Sequence, residues 1–177
     1  MRLNMNRWES ERVVIRPVDE AEMAALLEVY RASEDFLALG PVAVASEAMV
    51  LADLRLSREA GGWFCGIYEK TSGRMIGVVD FVPSGWEGLP NQAFLELLMI
   101  AAPYRSQGVG QEVVRLVERA ICQDEKVDRI AAGVQVNNPG AIRFWRRMGY
   151  AIVSEAKAMA DGTVAFELLK QIPKPVG

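Results

Sequence analysis

The sequence contains no histidine. A histidine base, a Ser-His-Asp arrangement and a Cys/His zinc site are excluded together. Any general base must be a carboxylate, a lysine, a tyrosine or a water, and no metal is expected. Cysteine is scarce. Cys65 and Cys122 form no metal-like pair, and each is expected to be a small buried hydrophobe. With a net charge of −3, the chain lacks the basic signature of a nucleic-acid partner. Its apolar runs are too short to span a membrane and its polar N-terminal stretch reads as no secretory leader, so a cytoplasmic location is the default expectation. There is no internal repeat, low-complexity tract or linker. What remains is an ordinary globular composition in 177 residues, enough for one domain, 1–177, with a buried core.

Patterning along the chain predicts an α/β fold. Val13 to Val18 reads as a first strand, stopped by proline, and Asp19 with Glu22 forms a cap-like pair at a helix start. Met23, Leu26, Leu27 and Tyr30 recur at helical spacing. Residues 33–45 lack periodicity and read as a loop. A second helix runs from Ser46 towards Gly61-Gly62. Residues 63–69 and 74–82 form a hairpin, 93–101 a strand, 109–123 a helix with an apolar face, 128–136 a strand and 139–148 a helix. Two last strands pair across Asp161-Gly162. The order β-α-α-β-β-β-α-β-α-β-β implies a mixed central β-sheet flanked by helices.

The most informative stretch lies between the strand of residues 93–101 and the helix after it. Arg105-Ser-Gln-Gly-Val-Gly110 is a basic glycine turn joining an apolar strand to a helix. Glycines let the backbone come close to an anion, and the helix start adds partial positive charge worth ~0.3–1 kcal/mol per anionic group. A dinucleotide fingerprint would place a third glycine where Val113 stands, and a Walker A loop would need Gly-Lys-Ser/Thr where Gln111 follows Gly110. Both fit poorly. A second block, Asn138-Pro-Gly-Ala-Ile-Arg-Phe-Trp-Arg-Arg-Met-Gly-Tyr150, has an asparagine cap, a proline in the first helical position and a glycine suited to the left-handed C-terminal position.

The two blocks, in this order, resemble the GNAT superfamily of acyl-coenzyme A-dependent N-acyltransferases, with a likeness extending over residues 13–170. The resemblance implies a GNAT-like fold with acetyl-CoA as co-substrate. It places the pantetheine arm along Leu98, Met99 and Ile100, and the pyrophosphate on the turn of Arg105, Ser106, Gln107, Gly108, Val109, Gly110 and Gln111. Asn138 would bond the pantetheine arm, and one of Arg143, Arg146 and Arg147 would be free to meet the adenosine 3′-phosphate. The chain departs from the family at Trp145, where a tyrosine that protonates the leaving thiolate is common; an indole N–H is no practical acid.

An amine must be neutral to attack a thioester. At pH 7 that costs ~4–5 kcal/mol for a lysine-like amine but only ~1 for an α-amine. Glu96, inside an apolar strand, matches a carboxylate that serves related enzymes as the base, and burial would raise its pKa. Asp80, Glu87, Glu34 and Asp35 are weaker candidates. The acceptor, a small-molecule or peptide amine, is expected between residues 33–45 and 83–91, where Phe36, Trp86 and Glu87 are available. The expected activity is thus acetyl transfer to a primary amine in a ternary complex. The alternatives are a non-catalytic acyl-CoA-binding domain of the same fold and a nucleotide-binding module. A homodimer is common among such proteins, but the sequence singles out no pairing surface.

Overall fold

The computed structural model describes residues 6–174. Its strands are β1 (Trp8–Glu9), β2 (Val13–Pro17), β3 (Trp63–Glu69), β4 (Met75–Val82), β5 (Gln92–Ile100), β6 (Arg129–Gln135), β7 (Ala151–Ile152), β8 (Lys157–Ala158) and β9 (Val164–Gln171). Its helices are α1 (Met23–Arg31), α2 (Glu34–Leu37), α3 (Glu47–Glu59), α4 (Val109–Ile121) and α5 (Pro139–Arg147). The strands form one mixed sheet in the order β1-β2-β3-β4-β5-β6-β9-β7, with β8 on β9. Every pairing is antiparallel except β5 with β6, which α4 connects as the crossover. The α/β class and the mixed sheet flanked by helices are as expected.

Each face of the sheet is covered by helices whose apolar positions repeat at helical spacing. On one face α4 buries Val113, Val114, Leu116, Val117 and Ile121 against Ile15, Ile67, Leu95 and Ile130. Complete burial of side chains of this size contributes roughly 1.5–3 kcal/mol each. On the other face α1 and α3 bury Leu26, Val29, Tyr30, Val50 and Leu54 against Phe64, Val78 and Met99. Gly149, at φ 91°, closes α5, with the amides of Gly149 and Tyr150 returning to the carbonyls of Arg146 and Trp145.

Several local expectations need correction. Residues 33–45 are not all loop: α2 forms within them, and Glu34 Oε1 accepts from Ala45 N at 3.1 Å, pinning the remainder. Asp19 does cap a helical turn, through Ala21 N at 2.9 Å. Glu22 does not reach back to it, because two better donors face it from the sheet: Arg16 as a fork at 2.8 and 2.9 Å, and the Tyr68 hydroxyl at 2.6 Å. In α1 Val29 is buried together with Leu26 and Tyr30, while Leu27 is half-buried. Cys65 is buried as expected, but Cys122 is exposed, since it stands just past the end of α4 where the chain turns outward. Glu118 is also drawn inward from the solvent side of α4, to Lys170 Nζ at 2.9 Å and the Tyr150 hydroxyl at 3.0 Å.

Candidate active site

The site is made by a defect in the sheet. β5 pairs with β4 in register down to Asp80↔Leu97, and the next pair is Phe81↔Leu95, which leaves Glu96 as an extra residue in a bulge. On its other edge β5 pairs in parallel with β6 only from Gln92↔Arg129 to Leu95↔Ala132. β6 runs on to Gln135 bonded to β9 alone. Beyond Leu95 the two strands part, and the edge of β5 is open.

The ladder on the intact side fixes which groups that edge presents. Ala101 N donates to Ile76 O at 2.9 Å, and Ala101 and Met99 therefore turn their N–H and C=O groups towards β4. Leu98 and Ile100 turn theirs into the gap. Met99, expected to share in this edge, lines the cleft but spends its backbone groups on β4 and buries its side chain under α1 and α3. Arg105 Nε donates to Ile100 O at 2.7 Å, so that carbonyl is already engaged.

A cleft of about 840 Å³ follows the gap. Its floor is the open edge of β5, its head the glycine turn and the start of α4, and its far wall α5. All the residues expected to hold the donor line it except Gln107. The Gln107 carbonyl points outward to Arg12 Nη1 at 2.8 Å, and its side chain donates to Pro103 O at 3.2 Å. The turn needs left-handed backbone at Ser106 (φ 59°) and Gly108 (φ 81°); the second suits glycine, while the first is tolerated by a small polar residue. Gly108, Val109, Gly110 and Gln111, which open α4, line the cleft, and the unpaired N–H groups of a helix start suit an anion. Asn138 caps α5, its Oδ1 accepting from Ala141 N at 3.1 Å, which leaves the side-chain nitrogen as the group to donate to a ligand.

Two features of this cleft were not anticipated. Arg105 is not a free cation: its guanidinium forks onto Asp35 of α2, with the second arm at 3.0 Å, and ties the loop after α1 to the turn. Asp35, Leu39, Tyr104 and Phe144 line the same cleft. Apolar Leu39 and Phe144 carry no local signal of such a role, but Tyr104 adjoins the motif and could have been read with it.

On the opposite face, three carboxylates gather around the bulge. Ala93 and Leu95 belong to the α4 core, so Phe94 and Glu96 project the other way, towards α1 and α3. Glu96 is solvent-reachable, yet desolvation by the surrounding protein, and then the charges of Asp80 and Asp53, hold its carboxyl above the usual range. Asp80 is only 4% exposed; burial pushes it up to about 6, although the Ser57 hydroxyl donates to it at 2.6 Å. Asp53 is raised by burial as well and accepts from the buried Tyr30 hydroxyl at 2.6 Å. Gly62 leaves room for the Ser57–Asp80 pair, as a Cβ there would lie 2.7 Å from Ser57 Oγ.

The expected acceptor residues divide. Phe36 lines the cleft. Trp86 lies outside its lining, stacked on Phe94 at 4.0 Å, on the face of β5 that Glu96 shares. Glu87 is exposed beside it, with φ 55°. Trp145 is 7% exposed and packs edge-on between Phe144 and Tyr150, contributing a wall and no acid. Among the described residues no three His, Cys, Asp or Glu side chains are grouped to hold a metal, and no helix is long and apolar enough to cross a membrane.

Known proteins share this architecture. An acetyltransferase from Thermus thermophilus superimposes with a TM-score of 0.75 at 20% identity, over 90% of this chain and 97% of its own. An acetyltransferase from Salmonella typhimurium that modifies the N-terminal serine of ribosomal protein L7/L12 gives 0.75 at 14% identity, over 93% and 97%. The spermidine N-acetyltransferase from Vibrio cholerae, in complex with CoA and spermine, gives 0.70 at 11% identity, over 92% and 96%. The sequence model of the GNAT acetyltransferase family matches residues 18–150, from the end of the first long strand through the helix that Asn138 caps. The chain belongs to the GNAT acetyltransferase family.

Proposed function

We propose that the protein transfers an acetyl group from acetyl-CoA to a primary amine by direct attack in a ternary complex. One observation carries this reading: the sheet opens beyond Leu95↔Ala132, and the unpaired edge of β5 runs from the bulge at Glu96 to the strand end before the glycine turn. The pantetheine arm pairs with the open edge at Leu98 and the Ile100 amide, Asn138 donates to it from across the cleft, and the pyrophosphate rests on the amides from Ser106 to Gln111, with the Gln107 side chain turned away. The thioester then lies next to the bulge.

The acceptor enters from the α1–α3 face, past Phe36 and the Trp86–Glu87 turn. Its nitrogen attacks the thioester carbonyl carbon, and the oxyanion that develops is met by a backbone N–H of β5 beside the bulge. Glu96 accepts the amine proton, directly or through a water, as the C–N bond forms. Collapse expels the coenzyme A thiolate; with a thiol pKa of about 8.5 it can take its proton from solvent, so Trp145 does not block turnover. Polyamine-like amines and peptide N-termini, the acceptors of the two named neighbours, head the list of substrates to try.

The test combines binding and turnover. Coenzyme A and acetyl-CoA are expected to raise the melting temperature where ATP and NAD do not. Acetyl-CoA with spermidine, free amino acids and a peptide with a free N-terminus is expected to release thiol and yield an acetylated amine by mass spectrometry. No shift with acetyl-CoA at millimolar concentration overturns the donor site. A shift without turnover on any amine supports the acyl-CoA-binding alternative.

A further inference from the structure

The donor turn is held from outside its own motif. Arg12, in the turn between β1 and β2, lies 95 residues before Gln107, yet its Nη1 donates to the Gln107 carbonyl at 2.8 Å. The rest of the guanidinium clamps Glu112 in the first turn of α4: Nε to Oε2 at 2.8 Å and Nη2 to Oε2 at 2.7 Å. Glu112 is gripped further by the Arg12 amide at 3.1 Å and by the Ser10 hydroxyl. The amide of Glu112 in turn donates to Gly108 O at 3.1 Å. One side chain therefore joins the middle of the glycine turn to the helix start behind it.

The consequence follows from the geometry of the peptide unit. In a trans peptide the carbonyl of one residue and the N–H of the next point in opposite directions, and the chain has no cis bond among its described residues. Arg12 holds the Gln107 carbonyl on the outer side of the turn, so the Gly108 N–H is directed inward, where Gly108 lines the cleft. The turn does not lock this orientation by itself, because Gln107 sits between two left-handed residues and that peptide plane belongs to no helix or strand ladder. Electrostatic attraction of a distant anion is a poor alternative account of Arg12, since Glu112 neutralises its charge at contact distance.

We infer that Arg12 is a positioning residue for the donor: it aims the Gly108 amide at the pyrophosphate, without itself touching the ligand. This rests on the coenzyme A reading of the cleft. The experiment is isothermal titration of the wild-type chain, Arg12→Ala and Arg12→Lys with two probes, coenzyme A and S-acetylpantetheine, which lacks every phosphate.

Arg12→Ala is expected to bind coenzyme A about tenfold more weakly, the scale of one hydrogen bond to a charged group, while S-acetylpantetheine changes less than about twofold. Arg12→Lys keeps the positive charge but lacks a second arm to hold Gln107 O together with Glu112. It is expected to show the same selective loss, and it decides the matter if the alanine variant does not fold. Variants that bind coenzyme A like the wild type overturn the inference. So does an equal loss for both probes, which would mark general loosening of the cleft. Wild-type protein that binds no coenzyme A overturns the donor reading itself, a result distinguishable from a failure confined to the variants.

Discussion

The two halves of β5 have nearly the same composition and opposite roles. Gln92 to Leu95 is ordinary sheet, paired throughout with β6, and with β4 as well at Phe94 and Leu95. Leu97 to Ile100 is equally apolar, yet one of its edges is bonded to no strand and faces a cleft. Between them stands one inserted residue, Glu96. Hydrophobic character alone therefore does not distinguish a strand paired on both edges from one that borders a cleft; the register does, and a single-residue bulge separates the two regimes.

The sharpest way to break the comparison is to change the residue at the boundary. Glu96→Gln keeps the size and the bulge but removes the carboxylate proposed as the base. Its kcat is expected to fall about 10²–10³-fold, equivalent to ~2.7–4 kcal/mol, with the coenzyme A-induced thermal shift unaltered. In the wild type, activity is lost on acidification at a pH above the ordinary carboxylate value, because a base with a raised pKa is protonated sooner; the glutamine variant loses that limb. A flat wild-type profile across that range would remove Glu96 from the mechanism.

One residue earlier the expectation reverses. Leu95 is 2% exposed in the paired half, and Leu95→Ala is expected to cost about 2–4 kcal/mol of stability, a drop in melting temperature of roughly 5–15 °C. Measured well below that temperature, its kcat should stay within a few-fold of wild type. A stable but inactive Leu95→Ala would mean that the two halves are not separable.

The smallest effect concerns Asp80, paired across the bulge. Its carboxyl titrates at about 6 when folded against an ordinary value of 3.8, so the folded state binds the proton more tightly than the unfolded chain does. Stability therefore falls as pH rises from 3.8 to 6, and the full penalty persists above 6. Asp80→Asn, which can still accept from Ser57, is expected to raise stability at pH 7.5 by about 1–3 kcal/mol and to flatten the acid side of the denaturation profile. Urea titrations at pH 4.5 and 7.5 decide it; a variant less stable at pH 7.5 would mean that the ionised form is favoured where it sits.

What could be read from the sequence was whatever is set locally. The period of Val113, Val114 and Val117 announced α4, and the Asn-Pro start with Gly149 bounded α5, because caps and amphipathic spacing are properties of adjacent residues. The glycine turn was legible for the same reason, and with it the family. The bulge at Glu96 was not, since it exists only relative to Asp80 and Phe81 on another strand. Nor was the fork from Arg105 to Asp35, which depends on a partner distant in sequence. β1 and β7, with two residues each, are too short to carry any alternation.

The unpaired edge also bears on what a complete molecule is. A sheet of this size ordinarily seals its own hydrogen bonds, and this one leaves a seam between its two halves. On the proposed reading the pantetheine arm acts as a removable strand, laid into the seam at the start of each catalytic cycle and withdrawn at its end. Part of the protein's architecture is then supplied by a metabolite, and the stability of the sheet follows the concentration of that metabolite, by about 2.7 kcal/mol when it stands at a hundred times its dissociation constant.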